Sequence, residues 1–257
     1  MIDIVISEFS KLKRYSVLWV GVAVVFSSAI LATFQTSMQA GEIPYALFSD
    51  NVIWNNFSLA FPFFIVLLGG FLMDREYTDD TLKAMLTVPV SFQRMMLGKL
   101  IVTGILTVLF AVFSFVCTAL SGALILHCAG MNPAALALSL FQLCAMAFFD
   151  FLAVSPLIVW FGKKRGSFFA GVGIAFFYGF CGIFVAGRNL TDFYPITAGL
   201  GIIGYVGQAQ VHYQPLIGWA VLALMAAVTG GILAFAPSYD ALTSVACKKP
   251  KKACRRV

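Results

Sequence analysis

Charge is what this 257-residue sequence has least of. Asp, Glu, Lys and Arg make up 11% of it, against about a quarter in soluble globular proteins. Hydrophobic residues make up 61% and the mean hydropathy is +0.94, which excludes an ordinary water-soluble fold. No Gly-x-x-x-x-Gly-Lys-Ser/Thr occurs, and Gly98-Lys99 is followed by Leu100, so the chain does not cradle nucleotide phosphates by a P-loop. The six cysteines (Cys117, Cys128, Cys144, Cys181, Cys247, Cys254) lack metal-ligand spacing. His127 and His212 stand far apart without neighbouring ligands, so neither a metal site nor a catalytic dyad is expected. Intramembrane hydrolysis needs a polar constellation such as Ser/Lys or paired Asp, and only Asp150 is available. An enzyme is therefore disfavoured, and no cofactor is expected in this chain.

What is present are six apolar runs, at about 16–34, 57–73, 100–126, 134–161, 167–186 and 216–236. Each is long enough to cross ~30 Å of hydrocarbon as a helix, and helices are required because unpaired backbone groups cannot be left in lipid. The expected fold class is an all-α integral membrane protein, one transmembrane domain over 1–245 with a basic tail over 246–257. Before the first run, Ile2, Val5, Ile6, Phe9 and Leu12 recur at helical spacing and predict an amphipathic helix along the membrane face; the alternative is a plain extension of the first span. No small-residue cleavage site follows closely, so this segment does not read as a signal peptide.

The connections sort by charge. Of the 17 basic residues, all but Arg188 fall before span one, between spans two and three, between spans four and five, or in the tail. The positive-inside rule then places both termini in the cytoplasm. Net charge +6 is the ordinary cytoplasmic excess of such a protein and calls for no nucleic acid.

The longest connection on the basic side, Asp74 to Gly98, carries the functional signal. Thr78 or Asp79 can cap a short helix with an acidic first turn (Asp79, Asp80), and Leu82, Met85 and Leu86 give it one apolar face. Pro89 ends it, and Ser91 can cap the helix that runs into span three. A helix of this kind, lying on the membrane surface, is shaped to dock in a groove on a soluble partner. A solvated loop is the bland alternative.

Here the residues resemble a family, the membrane-spanning subunits of ABC-2-type ABC transporters. Its segment after the second span has a Glu, Gly-Thr, a helix with leucines, Pro-Val-Ser-Arg and a Lys before span three. Glu76, Thr81, Leu82, Leu86, Pro89, Val90, Ser91 and Lys99 match; Asp80 stands where the family has Gly and Phe92 where it has Arg. The compact six-span layout is most similar to lantibiotic-immunity and bacitracin-resistance permeases. The resemblance implies a cytoplasmic ABC ATPase, in two copies, that carries the ATP and Mg and docks on a coupling helix at Asp79 to Leu86. It also implies a second permease subunit, identical or related, and export of an amphipathic peptide or lipophilic compound. The helix over Ile2 to Leu12 would match the family's elbow helix. A sensor or assembly protein docking another cytoplasmic partner is the competing expectation.

Three further features bear on function. Asp150, among Phe148, Phe149, Phe151 and Leu152, should face the protein interior in contact with a neighbouring helix or subunit, or be protonated. The stretch from Arg188 to Pro215 is apolar in its middle but too short to span and rich in glycine, which predicts a re-entrant or interfacial hairpin before the last span. An outer loop from Gln35 to Asn56 offers Glu42, Asp50 and Trp54 to a cationic amphipathic peptide, unless Trp54, Tyr194 and Tyr213 are simply interfacial belt aromatics.

Overall fold

The computed structural model describes residues 2–12, 16–39, 41–78, 92–163, 166–186, 188, 190–205 and 213–235. Among these the chain is helical, in the order α1 (Ile2–Leu12), α2 (Val17–Ser37), α3 (Tyr45–Asn55), a π-helical turn (Asn56–Ala60), α4 (Phe61–Thr78), α5 (Phe92–Leu124), α6 (Pro133–Gly162), α7 (Phe168–Val185), α8 (Ala198–Ile202) and α9 (Pro215–Ala234). Six helical stretches are long and apolar enough to cross a membrane: α2, the continuous run Tyr45–Glu76, α5, α6, α7 and α9. Trp19, Phe34, Phe177 and Leu216 are exposed on the outside of the bundle, as expected where lipid is the solvent.

Two spans form the centre. The apolar stretch of Tyr45–Glu76 is 72% buried and that of α6 67%, against 22% for α9. The second span begins earlier than the hydropathy of 57–73 indicated: residues 45–55, expected within an outer loop, are helical and continuous with it. Tyr45, Phe48, Ser49, Val52 and Ile53 bury one face of α3. Five polar or charged residues, Ser49, Asp50, Asn51, Asn55 and Asn56, lie among 45–56, which hid this helix from a hydropathy reading.

The π-turn has a local cause. Pro62 provides no N–H to the preceding turn, and its ring crowds the carbonyl four residues back, that of Ser58. The helix widens just before it, with Phe61 N–H reaching the Asn56 carbonyl. The Ser58 carbonyl oxygen then lies against Gly179 of α7, at a place where any Cβ would collide with it. On the other flank, Ser28 of α2 donates to Asn56 Oδ1 at 2.6 Å and Asn56 Nδ2 donates to Ser114 Oγ of α5 at 3.0 Å. Three spans are thus joined by buried hydrogen bonds, which are satisfied within protein rather than lost to lipid.

The two ends of the bundle are distinct. At one end Asp74 Oδ1 accepts from Gly166 N at 2.6 Å, Lys163 Nζ donates to the Ile232 carbonyl at 2.8 Å, and Gln93 Nε2 donates to the Ala234 carbonyl at 3.0 Å. The last two bonds supply partners for orphan carbonyls at the C-terminus of α9. At the opposite end, Tyr45 N and Ala129 N bond to the carbonyls of Ala129 and Ile43. There too, α8 is tucked between α6 and α9, with Ile196 to Leu200 buried.

The close approach of α7 to the π-turn is directly testable. Gly179→Val should destabilise the protein by about 1–3 kcal/mol through overpacking, read as a lower unfolding midpoint in detergent. The same change at Gly173, where a Cβ meets nothing within 4 Å, should leave the midpoint nearly unmoved.

Candidate functional site: an ion ring where α4 stops and α5 starts

At the end of the bundle where α4 stops and α5 starts, four charged side chains close a ring. Lys99 of α5 donates to Glu8 Oε2 of α1 at 2.6 Å and to Glu76 Oε1 of α4 at 3.0 Å. Lys11 of α1 donates to Glu8 Oε1 at 2.8 Å and to the same Glu76 oxygen at 3.1 Å. Signs alternate around the ring, so each charge has two opposite neighbours and like charges sit across from one another. Lys99, Glu8 and Glu76 are buried, with side chains 2%, 4% and 5% exposed, whereas Lys11 is 37% exposed.

Each helix presents its member for a sequence reason. On α1, Val5, Glu8, Phe9 and Leu12 share the face that packs toward the bundle, and Glu8 and Leu12 are its buried residues. Ile6, expected on that face, is 58% exposed instead. Glu76 lies in the last turn of α4 and Lys99 two turns into α5, among the buried Phe92, Met95 and Met96. Removing such charges from water costs several kcal/mol per ion, recovered only when each ion is paired and hydrogen-bonded, as here. Burial works against the Lys11 ammonium, but its hydrogen bonds to Glu8 and Glu76 and their charges outweigh that and hold its pKa above the usual 10.5.

Of the coupling residues expected from the sequence, Glu76 is in this ring; Asp79, Asp80, Thr81, Leu82, Met85, Leu86 and Pro89 lie outside the described residues. Sequence reasoning did not single out Glu8, although a carboxylate on the apolar stripe of an amphipathic helix was the signal available, and it read Lys99 only as a motif match. The consequence of the geometry is mechanical. Both flanks of the 79–91 segment are tied to each other and to α1 through one set of ion pairs, so displacement of that segment acts on three helices together.

The remaining candidates are placed as follows. Asp150 is fully buried in α6, and neither of its oxygens has a hydrogen-bond partner among the described residues. Glu42 is exposed at the opposite end. Asp50 and Trp54 stand on α3 rather than on a loop, each partly buried, with Trp54 against Phe57 and Tyr205. Beside the π-turn, a groove of about 470 Å³ opens between α2, α4 and α7, lined by Ser28, Leu31, Asn55, Phe63 and Phe176 among others. No group of three or more His, Cys, Asp or Glu is arranged to hold a metal among the described residues.

Compared with known proteins, the chain matches the family model described as "ABC-2 family transporter protein" over residues 4–182, more than half of its length. No curated protein matches it.

Replacing Lys99 by Met leaves two buried carboxylates sharing one half-exposed lysine and should cost about 3–5 kcal/mol. Lys11→Met, at the rim, should cost about 1 kcal/mol or less. Unfolding midpoints of the two variants in detergent give the comparison. Because the folded pKa of Lys11 is raised, its contribution is present at all pH below 10.5 and is lost as pH rises through the folded value. The gap between wild type and Lys11→Met should therefore stay constant from about pH 7 to 9 and close in stronger alkali.

Proposed function

The chain belongs to the ABC-2 transporter family, and on that premise we propose that it is the permease half of an exporter that expels an amphipathic antimicrobial peptide of lantibiotic or bacitracin type from the bacterial cytoplasmic membrane, giving immunity or resistance. In this family the permease is the membrane component and the ATPase is a separate subunit. Two copies of a cytoplasmic ATPase, carrying ATP and Mg, dock on Asp79 to Leu86 of this chain and of a second permease subunit. Both termini and the ion ring face the cytoplasm.

The observation that carries the reading is the ring. A docked partner pushing on 79–91 moves α4 and α5 through Glu76 and Lys99, and α1 follows through Glu8 and Lys11. A coupling device needs such a joint, because force on an untied loop is dissipated in the loop. The side groove supports a lipophilic or amphipathic cargo: it is open and mostly apolar, with Ser27, Ser28 and Asn55 as its polar points, and suits a molecule arriving from lipid.

Affinity purification of the full chain from its own cells should bring down a P-loop ATPase. Leu82→Asp combined with Leu86→Asp should abolish that association and sensitise the cells to the peptide, while leaving the chain in the membrane. Isolation of the wild-type chain without any ATPase, or labelling of residues 79–86 from outside the cell, would refute the assignment.

A further inference from the structure

At the end of the bundle opposite the ion ring, a buried carboxylate with an oxygen that has no hydrogen-bond partner among the described residues lies beside aromatic side chains. Asp192, 6% exposed, lies in the turns between α7 and α8. Its Oδ2 accepts from Gln214 N at 2.8 Å, which ties the start of α9, but its Oδ1 is buried with no hydrogen-bond partner among the described residues. That oxygen lies against Tyr213: a Cβ at Gly201 would be 3.1 Å from Asp192 Oδ1 and 2.8 Å from Tyr213 Cβ. Tyr205 N donates to the Leu200 carbonyl at 3.1 Å, beside Gly201, which brings Tyr205 to the same turn, and Asp50 stands one helical turn before Trp54 on α3. Burial pushes the Tyr213 phenol up, and the negative charges of Asp192 and then Asp50 push it the same way. Burial, followed by Asp50 and Tyr213, does the same to Tyr205. Trp54 closes the group, its ring 6.5 Å from that of Tyr205 in a stacked arrangement.

We propose that Asp50, Asp192, Trp54, Tyr205 and Tyr213 form a binding site for an organic ammonium group. An unpaired buried carboxylate oxygen demands a cation or donor. Two carboxylates without a third ligand make a poor cage for a hard divalent ion, which takes six or more oxygens or keeps its own waters. Aromatic faces beside carboxylates are the surroundings in which organic ammonium ions, above all weakly hydrated quaternary ones, are held by cation–π attraction and charge together. The site draws on α3, the turns on either side of α8 and the residues that lead into α9, so its occupant bridges the second span to the last.

In cargo terms the site deepens the export reading and rests on it, since the ammonium would be that of a cationic amphiphile. Binding itself requires no ATPase, so the two are tested apart. The purified full chain in nanodiscs of phosphatidylglycerol is titrated with tetramethylammonium and with butylammonium, with tert-butyl methyl ether as a neutral control of similar size, and binding is read by calorimetry. Saturable binding of the cations and none of the ether is expected. Asp192→Asn, which keeps an acceptor for Gln214 N, and Asp50→Asn should each weaken binding about tenfold or more, with an unchanged unfolding midpoint confirming the fold. Tyr205→Leu should weaken the quaternary ion more than the primary one. Equal binding of the ether, or affinity untouched by both Asn variants, overturns the proposal, as does binding of calcium with exclusion of both ammonium ions. Raising the phosphatidylethanolamine content of the disc separates sources: competition identifies a lipid headgroup as an occupant, and its absence leaves a soluble or cargo ammonium. Loss of peptide export with intact ammonium binding would count against the transport reading alone.

Discussion

The constraint on which the rest of the molecule depends is the closure of the Glu8–Lys11–Glu76–Lys99 ring. A buried ion pair is weak evidence for stability, since its Coulomb attraction mainly offsets desolvation. Its value lies in discrimination: each ion tolerates the interior only when all its neighbours are in place, so alternative packings of α1, α4 and α5 leave a bare charge in an apolar surround. The ring therefore fixes the relative register of three helices whose apolar surfaces alone would permit sliding. Lys99 is also anchored through its backbone, its carbonyl accepting from Thr103 Oγ1 at 2.8 Å.

Along the second span, the same helix that ends in Glu76 contains the π-turn and starts near Asp50 and Trp54. The widened turn is not a defect to be absorbed elsewhere. Pro62 makes it, Gly179 admits the Ser58 carbonyl beside α7, and the Ser28–Asn56–Ser114 hydrogen bonds fasten its other side to α2 and α5. Polar groups at this depth are costly unless paired, so their pairing selects one arrangement of the central helices much as the ion ring does at the end.

The architecture was largely legible in the sequence because hydropathy reports on the solvent, and lipid is an uncompromising one. Six runs became six spans, and the resemblance carried by Glu76, Thr81, Leu82, Pro89 and Lys99 agrees with the family match. What was hidden follows from the same logic. Residues 45–55 are helical because one face packs on α2 and α6, a tertiary cause that an average over polar side chains cannot show. Glu8 was noted as a charge and not as a site, because its partner besides Lys11, Lys99, stands 91 residues away in the chain. The approach of Asp192 to Tyr213 is likewise a product of folding: nothing in the local sequence of either indicates the other.

These observations make the second span the element that joins the two chemistries of the protein. At one end Glu76 is engaged by two lysines, while at the other Trp54 stacks on Tyr205 at the proposed ammonium site. An α-helix is stiff along its axis, so a displacement of Glu76 is transmitted to Trp54 and Asp50, about 33 and 39 Å away at 1.5 Å per residue, unless something between them yields. The π-turn at 56–60 lies between, and it alone in this span has a looser hydrogen-bond ladder. Whether motion passes through it is decided by its fastenings to α2, α5 and α7. While these hold, a push on the segment after Glu76 and occupancy of the site beside Asp50 bias one and the same body, which is the physical requirement for coupling between distant sites.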